Sequence, residues 1–148
     1  MTFYRERLWP SAWLFISTAL VIPASLLVFL PINLTAGVIV AIVLYGGCVG
    51  ALIASSPVLE ISSDELRAGR ARLPLDFIGE LTAHSGADAT MQRGQQLDAR
   101  AWLLIRGWIS PVARVEVTDP DDPTPYWLIS TRHPDAFIAA ITQRKIQG

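Results

Sequence analysis

Between Leu8 and Leu59 the chain contains no Asp, Glu, Lys, Arg or His. As one helix this block would run about 78 Å, far beyond the ~30 Å hydrocarbon core of a bilayer. It must therefore fold back once. Pro31-Ile32-Asn33 is the natural break, because Pro and Asn form turns and resist helix continuation. The segments left on either side, Trp13–Leu30 and Thr35–Ala54, measure about 27 and 30 Å as helices, each long enough to span. Pro23 removes one backbone bond and is expected to kink the first. Trp9 and Trp13 stand where interfacial aromatic anchors belong. A cleaved signal peptide, with Arg5 and Arg7 as its charged start, is the rival reading. The apolar run outlasts any leader core, however, and a second apolar segment follows at once.

Arginines flank the block on both sides. Arg5 and Arg7 precede the first segment, and Arg67, Arg70 and Arg72 follow the second. The connecting turn is uncharged, apart from an Asn33-Leu34-Thr35 sequon match that turn composition explains. The positive-inside rule then predicts a multi-pass protein of the cell membrane with both termini cytoplasmic. Gly46, Gly50 and Ala54 recur at four-residue spacing, a pattern that permits close helix approach. The stripe either receives the first helix of the same chain or docks another membrane protein. A hairpin needs a seam, which favours the former.

Beyond Leu59 the composition changes. This part holds ten Lys/Arg against twelve Asp/Glu, a balance that lacks the basic excess of nucleic-acid-binding domains. Val58–Ser62 alternates, and Glu65–Ala68 with Arg70–Leu73 reads as a hairpin about Gly69. Leu75–Ala83, Ala101–Arg106, Val112–Thr118 and Tyr126–Ser130 read as further strands, and His84 to Arg100 as a polar surface loop with room for one helical turn. Pro134 opens a helix whose stripe is Phe137, Ile138 and Ile141, closed by Arg144 and Lys145. About seven short strands followed by a terminal helix is the element order of a pleckstrin-homology-like barrel. The expected fold is thus an α+β membrane protein. Residues 1–56 form an N-terminal tail and a two-helix transmembrane hairpin, and residues 57–148 a small barrel with a C-terminal helix.

Chemistry-bearing residues are few. Cys48 is the sole cysteine and lies in the apolar block, so an internal disulfide is excluded. His84 and His133 are the only histidines, which rules out a cysteine–histidine zinc cluster. A phosphate-binding Gly-x-x-x-x-Gly-Lys is absent, and the only lysine is Lys145. No catalytic, cofactor or metal residue is assigned. His84, Ser85 and Asp88 cluster in sequence, yet in a polar stretch where such residues are common. Arg67, Arg70 and Arg72 sit close to the membrane exit, where anionic lipids attract basic side chains. Read plainly, they are a solvated strand face paired with Asp64, Glu65 or Asp76. Among the aromatics, Trp108 in a Gly107–Pro111 turn is the expected exposed contact residue.

Three segments carry a resemblance: Tyr4-Arg5-Glu6-Arg7-Leu8-Trp9, Gly69-Arg70-Ala71-Arg72-Leu73-Pro74-Leu75, and Val112 to Arg132. Together they resemble a family of small actinobacterial membrane proteins known only as a domain of unknown function. The similarity covers essentially the whole chain. It implies two spans with a compact cytoplasmic domain, and offers no activity or ligand residues to carry over. A looser similarity is to bacterial membrane proteins in which a hairpin precedes a pleckstrin-homology-like domain.

The function expected is a non-catalytic, membrane-anchored interaction or accessory module without cofactor, its partners membrane lipid and another membrane protein or complex. A lipid- or small-ligand-binding domain is the alternative, favoured by an apolar cavity lined by Trp102 and Tyr126. An enzyme would require a His–carboxylate pair held in a cleft.

Overall fold

The first strand of the structure comes from residues that the sequence presents as a tail. A computed structural model describes residues 1–148, and in it Tyr4–Arg7 form strand β1. The chain divides into two units, one of Met1–Leu8 with Pro57–Gly148 and the other of Trp9–Ser56. The N-terminal eight residues therefore belong with the β-rich part and not with the apolar helices. The reason lies in their alternation: Arg5 and Arg7 are exposed, Tyr4 and Glu6 are half-buried, and Leu8 is fully buried.

The first sheet is antiparallel, in the order β1, β2 (Val58–Ile61), β3 (Glu65–Ala68) and β4 (Ala71–Pro74). Arg7 faces Val58 in register, and the Leu8 amide donates to the Pro57 carbonyl at 2.9 Å. Strands β3 and β4 are joined by Gly69 and Arg70, with Ala68 opposite Ala71. Gly69 has φ of +60° and Arg70 a negative φ, the sign pattern of a type II′ turn, which needs glycine first.

Pro74 ends β4, and Leu75–Phe77 turn as a short 3₁₀ helix. The second sheet follows in the order β5, β7, β8, β6, from strands β5 (Ile78–His84), β6 (Trp102–Leu104), β7 (Val112–Val117) and β8 (Tyr126–Ser130). Its pairs are antiparallel except β6 on β8, which is parallel. A bulge between Ile78 and Leu81 interrupts β5. There the Glu116 carboxylate accepts from the Glu80 amide at 2.7 Å, and a Cβ on Gly79 would stand 2.3 Å from that carboxylate. Glycine is what lets the side chain satisfy the amide that the bulge frees.

The expected closed barrel is not formed. Closure would require β4 to pair with β5 and β1 with β6, but the turn after Pro74 breaks the ladder, and all four remain edge strands. Instead, the two sheets and helix α5 (Pro134–Gln147) share one core. Leu59, Ile61 and Leu66 come from the first sheet, Val115, Trp127 and Ile129 from the second, and Phe137 and Ile141 from α5. Strand β8 is buried throughout, because its other face is also covered. A second cluster of Ala89, Val112, Tyr126 and Leu128 packs beneath helix α4 (Gly86–Arg93), within the stretch expected to be a polar loop.

In the other unit, α1 (Ala12–Thr18) and α2 (Val21–Phe29) make one interrupted apolar rod, and α3 (Leu34–Ala54) returns. The interruption falls at Ala19–Leu20 and not at Pro23. A proline ring clashes with the carbonyl four residues earlier, here Ala19, so the rod breaks one turn upstream. Pro23 then sits in the first turn of α2, where its missing amide costs nothing. Asn33 caps α3, its Oδ1 accepting from the Thr35 amide at 2.9 Å. Residues 31–33 are the turn, as expected.

The seam between α2 and α3 differs from the expected one. Gly37 and Ala41 are the buried residues of α3, and a Cβ on Gly37 would lie 3.0 Å from the Phe29 Cβ. Gly46, Gly50 and Ala54 are exposed, and a Cβ on either glycine would meet nothing within 4 Å. Both stripes have four-residue spacing. The one nearer the turn makes the seam because helices joined by a short turn must be close there.

Candidate functional site

Register places Arg5, Glu60, Arg67 and Arg72 side by side across the first sheet, from β1 to β4. Their side chains lie on the face opposite Leu59, Ile61 and Leu66, so the row looks outward. Arg7 shares that face by the same alternation, and Arg70 occupies the adjoining turn, not the strand face expected from spacing to Arg72. Thus Arg67 and Arg72 share the face, and the structure brings Arg5 and Arg7 to them. Sequence reasoning used that last pair only as topology signals. The alternation through Tyr4–Leu8 was the available signal.

The face is not fully compensated. Glu60 stands between Arg5 and Arg67, and accepts from the Thr2 hydroxyl at 3.0 Å. Arg72 approaches Glu65 at 3.7 Å, an exposed pair of the kind that contributes little. Arg67 and Arg72 are direct cross-strand partners, and like charges so placed repel.

The inward side of β1 is polar at one point. Glu6 accepts from the Tyr4 hydroxyl at 2.9 Å, from the buried Thr131 hydroxyl and from the Arg132 amide at 2.9 Å. The His133 amide donates in turn to Thr131 Oγ1. This network ties the N-terminal strand to the start of α5. Burial, reinforced by the hydrogen bond to Glu6, pushes the Tyr4 hydroxyl up to about 12.

Trp108 is half-buried against the main core, and its indole N–H donates to the Leu8 carbonyl at 3.3 Å. It is therefore an anchor for the strand β1 exit, not the exposed contact residue expected. Exposed tryptophans do occur, at Trp9 and Trp13. Trp102 packs against Trp127 with centroids 4.4 Å apart and ring planes inclined at 41°, whereas Tyr126 belongs to the cluster on the opposite side of the second sheet. The two do not line a common cavity.

His84 does meet a carboxylate: Nδ1 lies 2.6 Å from Asp88 Oδ2, and Nε2 lies 2.9 Å from the Thr82 hydroxyl. The Asp88 side chain, on the first turn of α4, is 60% exposed, and that of His84 only 14%. A hollow of about 40 Å³ between Glu80, Thr82, Arg114 and Glu116 is about the size of a water site. Larger grooves of about 290 and 250 Å³ flank the C-terminal turns of α5 on either side of Arg144. That guanidinium is already engaged, stacked on Phe3 at 4.6 Å and donating to the Ser63 carbonyl. No three His, Cys, Asp or Glu side chains converge. His84 and Asp88 are a hydrogen-bonded pair at the start of α4.

The molecule is of the class that joins a pair of apolar helices to an α+β unit assembled from both flanking segments. Its residues 3–141 match the family described as protein of unknown function (DUF3093), and the chain belongs to that family. No curated protein and no solved structure matches it.

Proposed function

We propose that this protein is a membrane-anchored, non-catalytic interaction module, its α+β unit held at one bilayer face by a helical hairpin. The observation that carries the reading is the union of residues 1–8 with residues 57–148 in one folded unit. Segments paired in one sheet must lie on the same side of a membrane. The two apolar helices between them therefore cross it together or not at all. Their side chains favour crossing. Trp13, Ile16, Leu20, Leu27, Ile42 and Val43 are all more than 60% exposed, an apolar surface that water does not tolerate on a soluble domain. A removable leader conflicts with the same union, because its loss would strip β1 and the fully buried Leu8 from the unit. The arginines flanking the hairpin favour a cytoplasmic location for both termini by the positive-inside rule.

The reading extends to a partner in the membrane. A tethered domain meets a neighbouring membrane protein at raised effective concentration, so modest affinity suffices. Reversible crosslinking in native membranes, then mild-detergent purification of the tagged full chain, is expected to recover one membrane protein in constant ratio. Complementation should survive His84→Ala and Asp88→Ala. Loss of the cellular phenotype in either variant, with folding and partner recovery intact, would establish an enzyme instead.

A further inference from the structure

We propose that the outer face of the first sheet is a docking surface for the phosphate headgroups of anionic lipids, built from Arg5, Arg67, Arg70 and Arg72. This rests on the hairpin reading above, and it adds a ligand class to a face which that reading leaves unassigned.

Charge distribution is the first ground. The face and its turn carry Arg5, Arg67, Arg70 and Arg72 against Glu60 and Glu65, while the whole chain has a net charge of −1. The remainder of the protein therefore carries a net negative charge, and the face a net positive one. Such segregation sets up a directional field.

A second, independent ground is the Arg67–Arg72 pair. No carboxylate stands between these direct partners; Glu60 faces Arg67 from its other side, and Glu65 approaches Arg72 at 3.7 Å. An external anion between them would relieve the repulsion. The guanidinium fork suits a phosphate, which it can grip with two parallel hydrogen bonds.

Covalent reach selects a lipid phosphate as the source. Only four residues separate Arg7 from the first helical residue, Ala12, and three separate Ala54 from Val58. At full extension such links reach no more than about 17 Å. On the hairpin reading, Arg7 and Val58 stay within that reach of the helix ends, and the potential of an anionic leaflet acts over about a Debye length.

The test reconstitutes the full chain in nanodiscs and compares its association with spin-labelled phosphatidylglycerol and phosphatidylcholine. The parent should prefer phosphatidylglycerol by about five-fold or more at low salt, the scale of one net basic charge at such a surface. About 1 M salt should bring the preference close to one. Arg67→Gln/Arg72→Gln should remove most of it, and adding Arg5→Gln the rest. Glu60→Gln, which deletes the carboxylate between Arg5 and Arg67, should raise it; Arg100→Gln, in a distant loop, should not change it. An Arg5→Gln/Arg67→Gln/Arg72→Gln variant that keeps the parental preference overturns the proposal and returns these arginines to protecting sheet edges. A chain that inserts with both ends on one side but shows no preference overturns only this inference. Failure to insert overturns the hairpin reading itself.

Discussion

Replacing Leu8 with Ala probes the joint on which the account depends. Leu8 is fully buried, belongs to the main core with Leu59 and Phe137, and lies three residues ahead of the α1 N-cap, Ser11. Transfer of a leucine side chain is worth about 2 kcal/mol, and the cavity left by its truncation raises measured costs to about 2.7–5 kcal/mol. Leu8 ends its segment, where neighbours can partly collapse, so about 3 kcal/mol is expected. A domain of about 100 residues is stable by roughly 5–15 kcal/mol. Each lost kcal/mol lowers its midpoint by about 4–8 °C, which makes the expected drop about 15 °C. Thermal unfolding of the full chain in mild detergent, followed by protease susceptibility of the α+β unit, reads this directly. A drop below about 3 °C would refute the reasoning: it would mean that residues 1–8 are dispensable to the fold.

Three further outcomes follow from particular contacts. Stability should fall between pH 10 and about 12, because Tyr4 is raised to about 12 in the fold while an unfolded tyrosine ionises near 10. In that window the unfolded state has released the proton that the folded state keeps. Tyr4→Phe should flatten the slope in denaturant midpoints measured across it. Gly37→Leu should part α2 from α3, since even a Cβ there meets Phe29 at 3.0 Å; overpacking of this kind costs about 1–3 kcal/mol. Gly46→Leu and Gly50→Leu should leave the hairpin's thermal stability unchanged, as nothing lies within 4 Å of either Cβ position. A leucine tolerated at 37 but damaging at 46 would reverse the assignment of the seam.

Local signals were legible wherever local physics decides. The uncharged block, its Pro31–Asn33 turn, the Gly69 hairpin and the Pro134 start of α5 are written in periods, breakers and caps. Strand β1 was obscured because its partner lies more than fifty residues away, and because Glu6, on the inward face, interrupts the apolar alternation that Tyr4 and Leu8 begin. Its partner Thr131 is equally remote. Helix α4 buries only Ala89, so it has almost no apolar stripe. Its ends are nonetheless marked, with Ser85 before it, Asp88 in the first turn, Arg93 in the last and Gly94 after. Barrel closure was beyond reach, since it depends on whether edge strands meet. The arginine face was half legible: Arg67 and Arg72 through strand period, Arg5 only once the register of β1 was known. Trp108 misled because a turn flanked by Gly and Pro reads as exposed, whereas its N–H is spent on Leu8.

Site-directed labelling of three positions tests the central claim most directly. In a Cys48→Ala background, single cysteines replace Thr2, Ile32 and Gly148, and intact cells are treated with a membrane-impermeant maleimide. The account predicts labelling at position 32 alone, with positions 2 and 148 reacting together only after lysis. Labelling of position 2 without 148, or of 148 without 2, would contradict it, because both belong to one folded unit, which cannot face opposite sides of a membrane.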